Sequence, residues 1–458
     1  LFNPRHYLTY LRYSKYFPVI VGGLVGLLIL LVSIPTYLAM TNTPKPVTLR
    51  FWGYWEPEVV APLLKDFQEK NSNVTVIYEK KELERYREIL QSRIENGSGP
   101  DVFYFHSKWL PMLRTQLVEL PKEVMNEQTF GSVFVPIANK DLKMSGKIWG
   151  LPVSFEGLAL LYNNELFKTV GLSVPPISWD EMRLKYLPLL TVKNNANEIQ
   201  NAGLALGTSN NIDRVSEIVQ LMMAQNGTSF LKNNELVINK SFSNGVANRN
   251  LGFDALTFYR SFADQESGSW AHNLPGSTEA FINGQVAMIF ATNRDLPNIL
   301  KLSHDLGTPL DLKVAQVPQL PAQENVTWGT TWSLGVSKMS VSQKYSWELI
   351  KALVTKQSAD QIIENQKQVS SFVDIPARMD SAKELKNDAY LGPYVSQMSS
   401  ATNFFGVEQT FDNGLNDETS VLFREMIGNA GSSQDFDKTA DKMTQVLIKY
   451  GIIIPVSP

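Results

Sequence analysis

Four histidines (His6, His106, His272, His304) are the chain's material for acid–base or metal chemistry, and they lie far apart. No cysteine is present. That excludes disulfides, thiolate metal sites, a cysteine nucleophile and a lipid joined through an N-terminal cysteine within these residues. No G-x-S-x-G elbow, H-E-x-x-H pair or G-x-x-x-x-G-K-[ST] phosphate loop occurs. Gly97-Ser98-Gly99 opens like a dinucleotide fingerprint, but the third glycine is missing and Pro100 interrupts, so it reads as a turn entering a strand. Asp435-x-Asp437 resembles the start of a calcium loop, yet Ala440 stands where glycine is required, and a solvated helix face accounts for it. Carboxylates are plentiful enough for a two-carboxylate glycosidase, but nothing singles out such a pair. Aromatics make up an ordinary 10%, so their placement carries the information. The run Phe51-Trp52-Gly53-Tyr54-Trp55-Glu56 closes an alternating strand. Phe51 and Trp52 read as core, while Trp55 and Glu56 fall beyond the strand, where parallel sheets deliver side chains to a crevice.

The elements that would position these groups follow from periodicity. Val47–Trp52 alternates as a strand, Val59–Asn71 is an amphipathic helix, and Val74–Tyr78 is a second strand. Glu82–Asn96 is a second helix and Asp101–Phe105 a third strand, which together make a βαβαβ unit with a parallel sheet. Further on, Leu158–Tyr162 and Val286–Phe290 read as strands, and Ile212–Gln225, Gly252–Asp264 and Tyr345–Thr355 as helices. Thr191–Asn201 is asparagine-rich and reads as an exposed loop. No repeat of fixed period appears, which disfavours a solenoid or propeller. At 458 residues the chain exceeds one domain of about 100–200 residues. Its 43% hydrophobic and 19% charged residues are those of a folded protein. With 42 Lys+Arg against 45 Asp+Glu, a nucleic-acid partner is disfavoured.

Tyr16–Pro44 carries no charged side chain, and Phe17–Met40 (FPVIVGGLVGLLILLVSIPTYLAM) is mostly apolar. At about 1.5 Å rise per residue it is long enough for a ~30 Å hydrocarbon core. A cleaved signal would want a small residue where Tyr37 stands, so the stretch reads as an uncleaved anchor. Arg5, Arg12 and Lys15 precede it without an acid, which places 1–16 in the cytoplasm. The expected organisation is therefore an anchor at 17–40, a Pro-containing linker at 41–46, and everything later on the extracytoplasmic side of the cell membrane.

Gly146–Met182 (GKIWGLPVSFEGLALLYNNELFKTVGLSVPPISWDEM) closely resembles the hallmark stretch of extracellular solute-binding proteins of ABC transporters. The likeness is to their large carbohydrate-binding family, which includes the maltodextrin-binding proteins. Gly146-Lys147, Trp149–Pro152, Tyr162-Asn163, Leu166-Phe167, Pro175-Pro176 and Ser178–Glu181 carry it. Gly97–Val102, Ala280–Met288, Trp328–Lys338 (with Thr330 for the second glycine) and Ser371–Arg378 extend it, to about residues 47–430. The resemblance implies a two-lobed α/β periplasmic-binding-protein-like fold with a cleft between the lobes, here preceded by a transmembrane helix. It implies three crossings, placed near Val153–Gly157, Trp270–Ser277 and Pro321–Trp328. The first lobe would then be 47–155 with 276–324, and the second 156–275 with 325–458.

It further implies carbohydrate capture for an ABC importer by hinge closure, with permease subunits as partners and no cofactor, metal or catalysis. The rival reading is an anchored surface polysaccharide hydrolase or lyase; a third keeps the fold as a receptor without an importer. Sugars offer flat C–H faces edged by hydroxyls, so a sugar cleft needs aromatic faces with planar hydrogen-bonding groups. By resemblance the expected ligand-binding residues are Trp55, Glu56, Phe105, His106, Lys108, Glu156, Asn293, Arg294, Trp328, Trp332, Phe372 and Arg378, with Trp332 the leading stacking surface. Several have a structural alternative. Trp109 packing explains the His106 loop, hinge hydrogen bonding explains Glu156, an exposed cap explains Asn293 and Arg294, and an ion pair explains Arg378.

Overall fold

A computed structural model describes residues 15–41, 45–243, 248–307, 310–320, 324–370, 372–429 and 431–455. The expected cytoplasmic stretch 1–16 lies outside it except for residues 15 and 16, and residues 42–44 of the linker and 321–323 of the third crossing also lie outside.

Phe17–Thr41 (α1) is one helix of 25 residues. Its described side chains, through Leu31, are apolar around the whole circumference, with Val19, Leu28 and Leu31 among the exposed ones. A helix apolar on all faces needs apolar surroundings. Among the described residues, no helix is long and apolar enough to cross a membrane. The side chains of α1 at 20 and 32–41 are not among them.

The rest builds from the expected βαβαβ unit. Val47–Gly53 (β1) becomes wholly buried over its last three residues. Pro57–Lys70 (α2) turns Val59, Val60, Leu63, Leu64 and Phe67 inward at helical spacing. Val74–Lys80 (β2), Tyr86–Glu95 (α3) and Val102–His106 (β3) follow, with β1 and β3 parallel in the register Phe51 to Val102. The helix Glu82–Asn96 thus starts four residues later than its charge pattern implied, after a left-handed Arg85.

Leu151–Asn163 (β4) is the longest strand, with 13 residues, and the short helix Asn164–Thr169 (α4) follows it. Ile199–Leu204 (β5) pairs with the short strand Val192–Lys193, so the expected loop 191–201 is in fact a hairpin. Val215–Gln225 (α5) packs on Leu251–Arg260 (α6). Val286–Thr292 (β6), Leu296–Asp305 (α7), Leu312–Ala315 (β7) and Thr327–Val336 (β8) come next. Gln343–Leu353 (α8), Lys356–Val369 (α9) and Ile375–Pro376 (β9) precede the paired helices Leu415–Asn429 (α10) and Ser433–Lys449 (α11).

β4 belongs to two groups of strands. Its residues 151–157 pair with β8 and β9, and β8 continues the order to β3, β1 and β2. Its residues 158–163 pair with β6 and β7, and β6 continues to β5. This pairing corrects the expected allotment of segments. Residues 286–292 and 312–315 sit with the 158–163 end, whereas 332–336 sit beside 102–106. Segments 276–324 and 325–336 are therefore exchanged relative to the reading above. Trp270–Ser277 is not a crossing either, because β5 before it and β6 after it are parallel neighbours. Trp270 Nε1 instead donates to Asn211, and the Ser277 N–H to the Asn211 carbonyl.

At the switch, Gly157 faces Gly329 across the strands. The ring of Phe155 lies over both, so close that a Cβ at either glycine would fall 2.5–2.6 Å from it. Two glycines opposed in a sheet leave a gap, and an aromatic ring fills it.

Candidate functional site

The switch in β4 brings Glu156 to the junction of the two groups, 3% exposed. Trp332 Nε1 donates to its Oε2 at 3.1 Å. Arg214 Nη1 stands 3.5 Å from Oε1, and Arg294 Nε 3.8 Å from Oε2. Arg214 caps the start of α5 in a left-handed conformation, φ 59°. Its guanidinium grips Asp295 through Nε (3.0 Å) and Nη2 (2.5 Å), and its Nη1 donates to the Glu408 carbonyl at 2.9 Å. Such forked pairing is the strong form of the arginine–carboxylate contact. One turn on, Glu217 accepts the Glu408 N–H at 2.8 Å, while the Glu408 carboxylate takes Ser216 and Arg424.

Rings pack on the other side of Glu156. Tyr54 stacks on Tyr104 with centres 4.0 Å apart, and Tyr104 on Trp332 at 4.9 Å with only 5° between planes. His106 and Trp109 meet Trp332 edge-on. Strand alternation explains the selection in β3. Tyr104 and His106 share the face turned to Trp332, while Phe105 points oppositely, against Phe103 and close to Gly150 and Gly335. The Tyr54 hydroxyl donates to Asp374, and Gln366 also donates to that carboxylate.

Burial sets the protonation states. His106 is held well below its ordinary range, first by desolvation and then by Lys108, Arg294 and Arg214. Its Nδ1 accepts the Lys108 N–H, so Nε2 carries the proton and donates to Thr330 Oγ1 at 3.3 Å. Glu217 is pushed up to about 8, first by burial and then by Glu408, against the pull of Arg214. Tyr54 and Tyr104 are raised mainly by burial. Among the described residues, no group of three or more His, Cys, Asp or Glu is placed to hold a metal ion.

Of the expected ligand residues, the junction gathers His106, Glu156, Arg294 and Trp332, with Asn293 at its root. Asn293 is a clamp: its Oδ1 takes the Gly157 N–H and its Nδ2 donates to the Phe155 carbonyl. Trp55 lies behind Tyr54 and is buried. Lys108 is held by Asp141 at 2.8 Å and lies over Phe405. Trp328 donates to Gln220. The others are not brought in. Glu56 is exposed and paired with Lys80, Phe105 is core, Phe372 packs on Tyr390, and Arg378 is bound to Asp380 and the Val354 carbonyl. Tyr54, Tyr104, Arg214, Glu217, Asp295, Asp374 and Glu408 were not among the expected residues. Tyr104 was accessible through the period of its strand; the charged partners had no local signal.

Stacked ring faces beside forked donors and buried carboxylates suit a neutral, hydroxylated ligand better than proton transfer. Residues 63–391 match the family model described as "Bacterial extracellular solute-binding protein", and the chain belongs to that family: it is an extracellular solute-binding protein and not an enzyme. A Brucella abortus (strain 2308) protein named "Putative binding protein" is 23% identical over 295 residues, 64% of this chain and 67% of that protein. The sugar-binding protein MalE from Xanthomonas citri shares the fold with a TM-score of 0.68 at 20% identity, over 88% of this chain and 98% of that one. The maltose/maltodextrin-binding domain MalE from Bdellovibrio bacteriovorus, bound to maltotriose, does so with a TM-score of 0.60 at 17% identity, over 88% and 100%.

Proposed function

We propose that this protein captures a carbohydrate outside the cell and passes it to an ABC importer, held at the membrane by α1. The observation that carries the sugar reading is the junction itself. Parallel rings of Tyr54, Tyr104 and Trp332 stand beside Glu156, Arg214 and Asp295, which is the pairing of apolar faces and planar hydrogen-bonding groups that a pyranose requires. The ligands of the two structural relatives, a sugar and maltotriose, point the same way.

In this reading the strands β1, β2, β3, β8 and residues 151–155 form one lobe, and β5, β6, β7 and residues 158–163 the other. Binding works by hinge closure about residues 156–157 of β4 and the β7–β8 connection. A sugar touching both lobes favours the closed state by as much as its affinity for that state exceeds its affinity for the open one. The charge-free run Tyr16–Pro44 supports the tether.

Calorimetric titration of the full chain in detergent micelles with mono- and oligosaccharides, with released products assayed in parallel, tests this. Saturable one-to-one binding without product is expected. Product formation, or silence across neutral sugars, would contradict it.

A further inference from the structure

The ring cluster already holds a cation. Arg294 follows β6, in the second group of strands, and its guanidinium carbon lies 4.9 Å from the Trp332 ring centre and 5.4 Å from that of Tyr54. Those rings belong to β8 and to the turn after β1, in the first group. Arg294 Nη1 also donates to the Tyr104 hydroxyl at 3.4 Å, and the carboxylates of Asp374 and Glu156 stand 3.9 and 3.8 Å away. Apart from Glu156, at the switch itself, each of these partners is on the opposite side of the junction from β6, the strand that leads into Arg294. Its root cannot follow, because Asn293 is clamped to the β4 backbone. Only the side chain is free to leave.

A guanidinium is planar, weakly hydrated and stacks on aromatic faces. The C–H face of a sugar seeks the same surface. We infer that Arg294 is an internal clasp, which draws the two groups of strands together and must release Trp332 and Tyr54 before a sugar stacks there. The competition with sugar rests on the carbohydrate reading; the clasp does not. While the clasp holds, the rings are withheld, and apparent affinity falls by the fraction of molecules in which it is open.

The absence of native cysteine makes the test clean. Spin labels at Lys65→Cys in α2 and Lys301→Cys in α7, both exposed positions, report the separation of the two groups in the full chain by pulsed electron resonance. Arg294→Gln is expected to lengthen or broaden that distance and to tighten maltotriose binding about tenfold. Arg294→Lys, which keeps the charge and loses the plane, is expected to fall between. Asp374→Asn serves as a second route, loosening the clasp without touching the arginine. An unchanged distance in Arg294→Gln and Asp374→Asn would overturn the clasp. A longer distance with weaker maltotriose binding would overturn the competition and make Arg294 a ligand contact. A longer distance with no maltotriose binding in any variant would uphold the clasp and count against the sugar reading.

Discussion

Glu217 shows how a single buried side chain couples the junction to pH. It is fully buried, its Oε1 is engaged by the Glu408 N–H, and its carboxyl is pushed up to about 8. A carboxyl whose folded pKa is raised binds its proton more tightly in the folded than in the unfolded chain. Between the unfolded value and about 8, stability therefore falls as pH rises, by about 1.4 kcal/mol per pH unit for one such group. His106, held low, acts in the opposite sense but only below its unfolded value near about 6.5. From pH 7 to 8 the Glu217 effect stands alone of the two. Urea unfolding of Glu217→Gln at pH 7 and 8 is expected to lack this slope, while the wild type loses on the order of 1 kcal/mol; equal slopes would remove Glu217 from the account. Trp332, 1% exposed and enclosed by Tyr104, His106, Trp109 and Arg294, is expected to be indispensable. Trp332→Ala should reduce maltotriose affinity at least tenfold in the same calorimetric titration.

At the scale of elements, the opposed glycines of β4 and β8 set how closely the strands meet where they change partners. Gly329→Ala would place a methyl group 2.5 Å from the Phe155 ring, and overpacking of this kind costs about 1–3 kcal/mol. The urea midpoint should fall accordingly and recover in part when Phe155→Leu is added. No recovery would place the strain elsewhere. For α1, Leu28→Arg puts a charge in the middle of the apolar run, at a cost of roughly 2.5–3.5 kcal/mol in a bilayer centre. Carbonate-washed membranes should retain the wild type and lose a large part of the variant; wild type already in the supernatant would contradict the tether. The first five elements after α1 were legible in the sequence because each buries one face, and burial writes itself as period two or 3.6. β4 was harder. Its Val153–Gly157 half read as a crossing and its Leu158–Tyr162 half as a strand, whereas a single strand runs through both and pairs with two groups. The allotment of 276–324 failed because Met288 pairs with Tyr162 across 126 residues, a contact that no local pattern encodes.

For the whole molecule, the resemblance over Gly146–Met182 named the family that the match over residues 63–391 then established. The aromatic half of the site was partly readable, since Trp332 and His106 were expected and Tyr54 and Tyr104 are neighbours of expected residues. The charged half was not. Arg214 meets Glu408 and Asp295 meets Arg214 across 194 and 81 residues, and each alone looks like a surface charge. The carbohydrate reading places the sugar at the junction of the two groups of strands. Fluorine NMR of the full chain carrying 5-fluorotryptophan, with the Trp332 signal assigned through Trp332→Phe, reads that site directly. Titration with maltotriose should shift the Trp332 signal saturably and leave Trp347, buried in α8, unmoved. Saturable binding with a silent Trp332 would place the sugar elsewhere and contradict the account.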